Sequence, residues 1–403
     1  MPNYYVDLTA LDTLARSRGV GRYAHYLAHG LHRLKPELGA DERLVAIVGL
    51  RGKEAFSDDL RPESHLRPLP ALGDQSAAYD RYWRQRWLHL RGELRRAAPE
   101  VVHFIEGPAA LPAIEYRSIV TCHDIIPLLM PALYLPKLLR EEPLRRAKDY
   151  LRYQLAQRVI AVSHATARDL SRGLGVPAGR ISVIHEGVDH EAFHPNEAPG
   201  EVDRLRARYG LPARYALYLG AHDPRKRVEL LVTAWRTVFR ATGVPLVLAG
   251  AWHGPTPDEL TAALRDLPAG AVMRVGEVEA GDVPALYRHA LVHPLPSIYE
   301  GFGLTVLEAM ASGCPVVTTR GGSLPEAGGD AALYVREDDL TELESAVLSI
   351  LGDGTLRDRM RERGIAHARP FTWDRCARAT LEAYRSVAAY RPAARAERTV
   401  VLS

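Results

Sequence analysis

At 403 residues the chain is too long for one ordinary hydrophobic core and asks for two domains of about 200 residues each. Lys plus Arg is 52 against 49 for Asp plus Glu, a net charge of +3, so no global field recruits nucleic acid. Cys122, Cys314 and Cys376 are far apart, odd in number and in no ligand-like spacing, which excludes a disulfide framework and reads as reduced thiols. No apolar run approaches a membrane span, and Met1 leads almost at once into a strand-like run without a basic-then-apolar leader. The expected location is therefore cytoplasmic, with contact at the inner face of a membrane at most.

Short β-branched or apolar runs alternate with helix-length amphipathic segments, the pattern of an α/β protein with parallel sheets. In the first half the expected strands are Tyr4 to Leu8, Leu44 to Val48, Val101 to Ile105, Ser118 to Cys122, Val159 to Val162 and Ile181 to Ile184. After the first, Arg18-Gly-Val-Gly-Arg-Tyr23 offers Gly19, Gly21 and Arg22, whose glycines let backbone approach a sugar or phosphate. Further on, Tyr79 to Arg96 puts Trp83, Trp87, Leu90 and Leu94 on one helical face ringed by arginines; packing on a sheet and docking on an anionic membrane both fit that pattern. His123 and Asp124 follow a strand end, where such sheets present their chemistry, and a neighbouring carboxylate can fix an imidazole tautomer. Pro131 to Leu139 is expected to form a flap, Ser163 to cap a helix, and Glu186 to be structural.

The run His194 to Glu201, rich in proline and charge, reads as a linker. It separates a domain over 1–195 from one over 196–385, with a last helix around 385–403 packing back on the first. Two such domains would leave a cleft collecting the carboxyl ends of both sheets. Strands in the second half are expected at Tyr215 to Leu219, Leu246 to Ala249, Val272 to Val275, Leu291 to His293 and Val316 to Thr318. Beyond Leu219-Gly220, a strand-to-helix loop carries Arg225 and Lys226, two cations able to clamp a diphosphate. The run Pro296 to Thr319 then sets Glu300 and Glu308 around the turn Gly301-Phe302-Gly303, and a helix begins at Leu304. Free N–H groups and the positive dipole end at a helix start attract anions. One turn further in, the Glu308 carboxylate can accept from ribose hydroxyls, while Glu300 faces the sugar.

This string resembles the signature of the retaining nucleotide-sugar glycosyltransferases built of two Rossmann-like domains, the GT-B type, in which two glutamates separated by seven residues are the hallmark. The likeness continues through Ser323-Leu-Pro-Glu-Ala-Gly-Gly-Asp and covers nearly the whole chain. It implies transfer with retention and without metal or cofactor, from a GDP- or UDP-sugar to a glycan, lipid-linked saccharide or other small acceptor. GDP-mannose leads, since Arg-Lys loops accompany its use. The resemblance gives His123 a place near the transferred sugar, Gly19, Gly21 and Arg22 a place in the cleft, and the backbone around Val278 a contact with the base. Two positions depart from the pattern: Arg227 stands where Asn or Gly follows the basic pair, and Glu186 where Asn more often precedes the glycine. No Asp-x-Asp triad occurs, so the metal-diphosphate ligand of the other large transferase architecture is missing. A nicotinamide oxidoreductase is excluded by the incomplete glycine fingerprint at Arg18 to Tyr23. A nucleotide-sugar epimerase and a non-catalytic carbohydrate-binding protein are the alternatives; oligomeric state is not legible.

Overall fold

The computed structural model describes residues 3–12, 19–47, 90–107, 110, 116–134, 151–250 and 258–389. Six strands, β1 (Asn3–Asp7), β2 (Arg43–Ile47), β3 (Val101–Phe104), β4 (Arg117–Cys122), β5 (Arg158–Ala161) and β6 (Ile181–Val183), lie in the order β2-β1-β3-β4-β5-β6. β1 runs parallel to β2 and β3, with Tyr5 opposite Val45 on one side and Val102 on the other. Strands covered on both faces read as unbroken apolar runs, and every residue of β3 is buried.

The chain forms two compact units. The first comprises Met1–Thr121, Leu151–Val159 and Ala377–Ser403. Its helix α1 (Gly19–Arg33) buries Tyr23, Ala24, Leu27 and Leu31, a stripe of three- and four-residue spacing. Within this unit the fully buried His103 is satisfied at both ring nitrogens, by the Tyr384 hydroxyl and by Thr121 Oγ1, each at 2.7 Å. Tyr23 reaches the same threonine at 3.2 Å. Tyr384 belongs to the helix Trp373–Ala389, whose Arg385 also forks onto Glu42 at 2.9 and 2.6 Å. Of the aromatic basic segment Tyr79 to Arg96, residues 79–89 with Trp83 and Trp87 lie outside the described residues; Leu90 and Leu94 are buried. Among the described residues no helix is long and apolar enough to cross a membrane.

The second unit comprises Cys122–Tyr150 and Ile160–Cys376. Its helix α2 (His164–Leu174) starts on Ser163, whose hydroxyl accepts from Thr166 N, and ends on Gly175 in the left-handed region at φ 66°. Strands β7 (Ala216–Leu219), β8 (Leu246–Ala249) and β9 (Val272–Gly276) form one parallel set, and β10 (His293–Leu295), β11 (Val316–Thr318) and β12 (Leu333–Tyr334) another. Backbone bonds from Leu217 N to Val292 O and from Leu291 N to Tyr215 O join the two sets edge to edge. That pairing explains why the strand expected at Leu291 to His293 forms two residues later: Leu291 is spent on the β7 side before His293 enters register with Val316. Helix α3 (Val228–Thr242) follows β7, α4 (Leu304–Ala311) follows β10, and α5 (Leu324–Gly328) follows β11. Trp235, Leu231 and Val238 of α3 and Val306, Leu307 and Met310 of α4 lie in one continuous core.

Candidate active site

Gly220 closes β7, its N–H donating to Ala249 O at 3.0 Å, and the chain turns toward α3 through a short 3-10 turn, Pro224–Lys226. Asp223 caps that turn by accepting from Arg225 N at 3.1 Å. It also accepts the hydroxyl of Tyr134, a residue of the expected flap, at 2.7 Å; flap residues 135–139 lie outside the described residues. Arg225 O in turn accepts from Ile298 N at 2.9 Å, so backbone ties this loop to the loop after β10.

That tie brings the expected charges together. Glu300 Oε1 receives Arg225 Nη1 at 2.7 Å, Lys226 Nζ at 3.0 Å and the Ser297 hydroxyl at 2.8 Å. The carboxylate is only 8% exposed. Burial alone would push its pKa up, but Arg225 and Lys226, helped by Ser297, pull it down to about 2. Burial lowers the Lys226 ammonium, with Glu300 working against it. Asp223 Oδ1 also lies 3.7 Å from Arg225 Nε, so the two cations are held in a largely dry place by carboxylates on both strand-end loops.

Past Glu300 the two glycines differ in role. Gly303 takes φ 95° as N-cap of α4. Gly301 has another reason: a Cβ there would lie 2.1 Å from the His123 carbonyl oxygen and 3.1 Å from Asp124 Cβ. The carbonyl of Gly301 accepts from Ser163 Oγ at 2.8 Å and from Thr166 Oγ1 at 3.2 Å, so the cap of α2 also anchors the loop. Leu304 opens α4, and Glu308 is buried one turn in.

His123 and Asp124 are thus packed against the loop that carries Glu300. Asp124 accepts from Ile126 N at 3.1 Å, and burial lifts its pKa despite the pull of Arg225. Asp124 also feels the charge of His123, and Glu186, 4% exposed, sits with Oε1 at 3.2 Å from His123 Nδ1. At the start of α2, both Glu326 oxygens accept peptide N–H groups, from His164 at 2.7 Å and Ala165 at 2.8 Å. His185 Nε2 adds a third contact at 2.9 Å. His164, His185 and Glu326 bring ligand-type atoms within 4.8 Å of one another, but with the carboxylate taken up by the free amides of α2 the group works as a helix cap.

The remaining expected residues fall elsewhere. Phe302 is buried in a cluster of three rings with His185 and Phe371, at 5.7 and 6.3 Å. Val278 packs at the edge of the second unit's core on the turn after β9. Gly19, Gly21 and Arg22 form the first turn of α1 in the first unit, Gly21 buried. Sequence reading missed Ser297 and Asp223, and read Glu186 as structural. The first two had local signals: a hydroxyl three residues before Glu300, and an Asp-Pro turn start. Glu186 stood out only as a departure from the family pattern, because its partner is 63 residues away.

Two family models match the chain: "Glycosyltransferase Family 4" over residues 17–192 and "Glycosyl transferases group 1" over residues 213–353. O-antigen chain mannosyltransferase B of Escherichia coli is 31% identical over 380 residues, covering 91% of this chain and 96% of that one. The serotype-specific mannosyltransferase WbdA of Escherichia coli is 26% identical over 306 residues, covering 71% of this chain and 37% of its own length. Among solved structures, sucrose-phosphate synthase from Thermosynechococcus elongatus superposes with TM-score 0.73 at 19% identity, over 96% of this chain and 99% of that one. Anabaena Alr3699/HepE in complex with UDP and glucose gives 0.71 at 16% identity, over 96% and 100%. These two are likenesses of fold, whereas O-antigen chain mannosyltransferase B matches in sequence over most of both chains, and the chain belongs to the glycosyltransferases of the GT-B fold.

Proposed function

We propose that this glycosyltransferase moves mannose from GDP-mannose to a glycan, lipid-linked saccharide or other small acceptor, with retention and without a metal. The observation that carries the reading is the meeting of Arg225, Lys226 and Glu300 between two strand-end loops of one unit. When the anomeric C–O bond breaks, its electron pair and the growing negative charge go to the diphosphate. Fixed cations in a largely water-free place stabilise that charge without reorganising. Glu300 holds the cations in place and addresses the sugar, Glu308 accepts from the ribose, and His123 stabilises the positive charge that develops on the ring. The names of the first relatives, mannosyltransferases of O-antigen and serotype assembly, support mannose over glucose. Neutralisation by two side chains supports metal independence, and the widely spaced cysteines support a cytoplasmic site of action.

The test is a donor panel in the presence of chelator. Incubation with GDP-mannose, UDP-glucose and UDP-N-acetylglucosamine, with and without mannosylated oligosaccharide, is expected to release GDP from GDP-mannose alone. Release of UDP instead overturns the donor, and activity only after adding a divalent metal overturns the metal-free mechanism. Product stereochemistry at the new linkage, read by NMR, decides retention.

A further inference from the structure

The loop after β6 delivers Glu186 to its place under tight constraint. Its neighbour Gly187 has no room for a side chain, since a Cβ would lie 2.3 Å from Trp373 N. Val188 N donates to Phe371 O at 3.0 Å. Glu186 is therefore held from behind while its carboxylate, almost fully shielded, faces His123 Nδ1 at 3.2 Å. His123 is pinned from the opposite direction, its carbonyl seated against Gly301. A shielded carboxylate is stable only with a donor in front of it. Such a carboxylate places the imidazole proton on Nδ1 and fixes the plane of the ring.

We infer that Glu186 is a positioning residue for His123: it holds the ring in the Nδ1–H tautomer and sets the direction in which Nε2 points. The inference rests on the reading of His123 as the group beside the transferred sugar. It assigns work to a side chain standing where the sequence pattern gave only a structural position. With Nδ1 committed to Glu186, the plane of the ring is set before the substrate arrives.

Two measurements test it. In protein carrying nitrogen-15 in its histidines, the His123 signals, assigned by their loss in His123→Ala, are expected to show protonated Nδ1. Glu186→Ala is expected to move them toward the tautomer mixture of free imidazole, and Glu186→Gln to leave them in place, since an amide oxygen still accepts from Nδ1. An Nε2–H tautomer in the parent, or no change in Glu186→Ala, overturns the inference whatever the activity. The second measurement uses the donor that turns over in the panel. Glu186→Ala is expected to lower kcat roughly 10- to 100-fold with donor KM within about twofold, by analogy with the loss of an outer partner of a metal-bound histidine. Glu186→Gln is expected to recover most of that loss, and the double variant Glu186→Ala with His123→Ala to be no slower than His123→Ala. An equal further loss in the double variant means that Glu186 acts on something other than His123 and overturns the inference. Full activity in His123→Ala sinks the role given to His123 instead, leaving the tautomer measurement to decide Glu186.

Discussion

Arg227 holds a left-handed backbone at φ 51°, between the turn that carries the two cations and the start of α3. Only glycine and, less readily, asparagine take that conformation without steric cost, which is the physical sense of the Asn or Gly that accompanies basic pairs of this kind. Arginine endures it with help from Asp338, itself at φ 57°, through contacts at 2.7 and 2.9 Å. The left-handed penalty is roughly 1–2 kcal/mol and a surface pair returns roughly 0–1 kcal/mol. Arg227→Gly is therefore expected to raise stability by a few tenths to about 1 kcal/mol, read as a higher urea midpoint at unchanged slope; a lower midpoint would show that the pair outweighs the strain. Lys226 and Glu308 separate in another way. Lys226→Ala removes charge stabilisation that grows as the diphosphate departs and should cost roughly 100- to 1,000-fold in kcat. Glu308→Ala removes contacts made equally before and during reaction, so donor KM should rise roughly 10-fold or more with kcat little changed. Steady-state kinetics with both variants side by side checks the contrast, and identical patterns would refute it.

At the scale of elements, the loop from Ser297 to Gly303 is held on several sides. Ile298 N bonds Arg225 O, Glu300 O accepts Ser323 N and Oγ at 3.1 and 2.9 Å, and Gly301 O accepts the two hydroxyls of α2. Gly301→Ala would drive a methyl into the His123 carbonyl, a contact with backbone that no side-chain rotation relieves. The expected cost is about 1–3 kcal/mol with a larger loss of activity than of stability, since the displaced segment carries Glu300; thermal melts paired with turnover measure both. Much of this element logic was legible beforehand. The strands announced themselves as β-branched runs, and the glycine turn before a helical period located the loop. β12 did not, because Leu333 and Tyr334 are too few to display a period. Glu326 escaped for a different reason: it caps α2 from a distant helix, and only local caps leave a spacing in the sequence. The glycine run at Gly19 was expected as a loop and forms the first turn of α1.

For the whole molecule, acid is the revealing perturbation. His293 is fully buried with Nδ1 2.7 Å from Leu217 O; burial holds its pKa down at about 4, against an ordinary 6.5. The unfolded chain binds that proton before the folded one does, so this stability is complete above pH 6.5 and is lost as pH falls toward 4. Glu300, held down to about 2 from 4.5, adds a second decline at lower pH by the same sign. The His293 step is on the order of 3 kcal/mol. Urea unfolding at pH 7, 5.5 and 4 should show it, and His293→Asn should flatten it; an unchanged slope in that variant would refute the assignment. The order of segments in the first unit carries one more consequence. His103 in β3 obtains its Tyr384 partner from a helix that leaves the ribosome only after the entire second unit has been made. During synthesis Nδ1 of that imidazole waits for its Tyr384 partner while more than half of the polypeptide emerges. The first-made unit therefore cannot complete its core until the segment that carries Tyr384 has been synthesised.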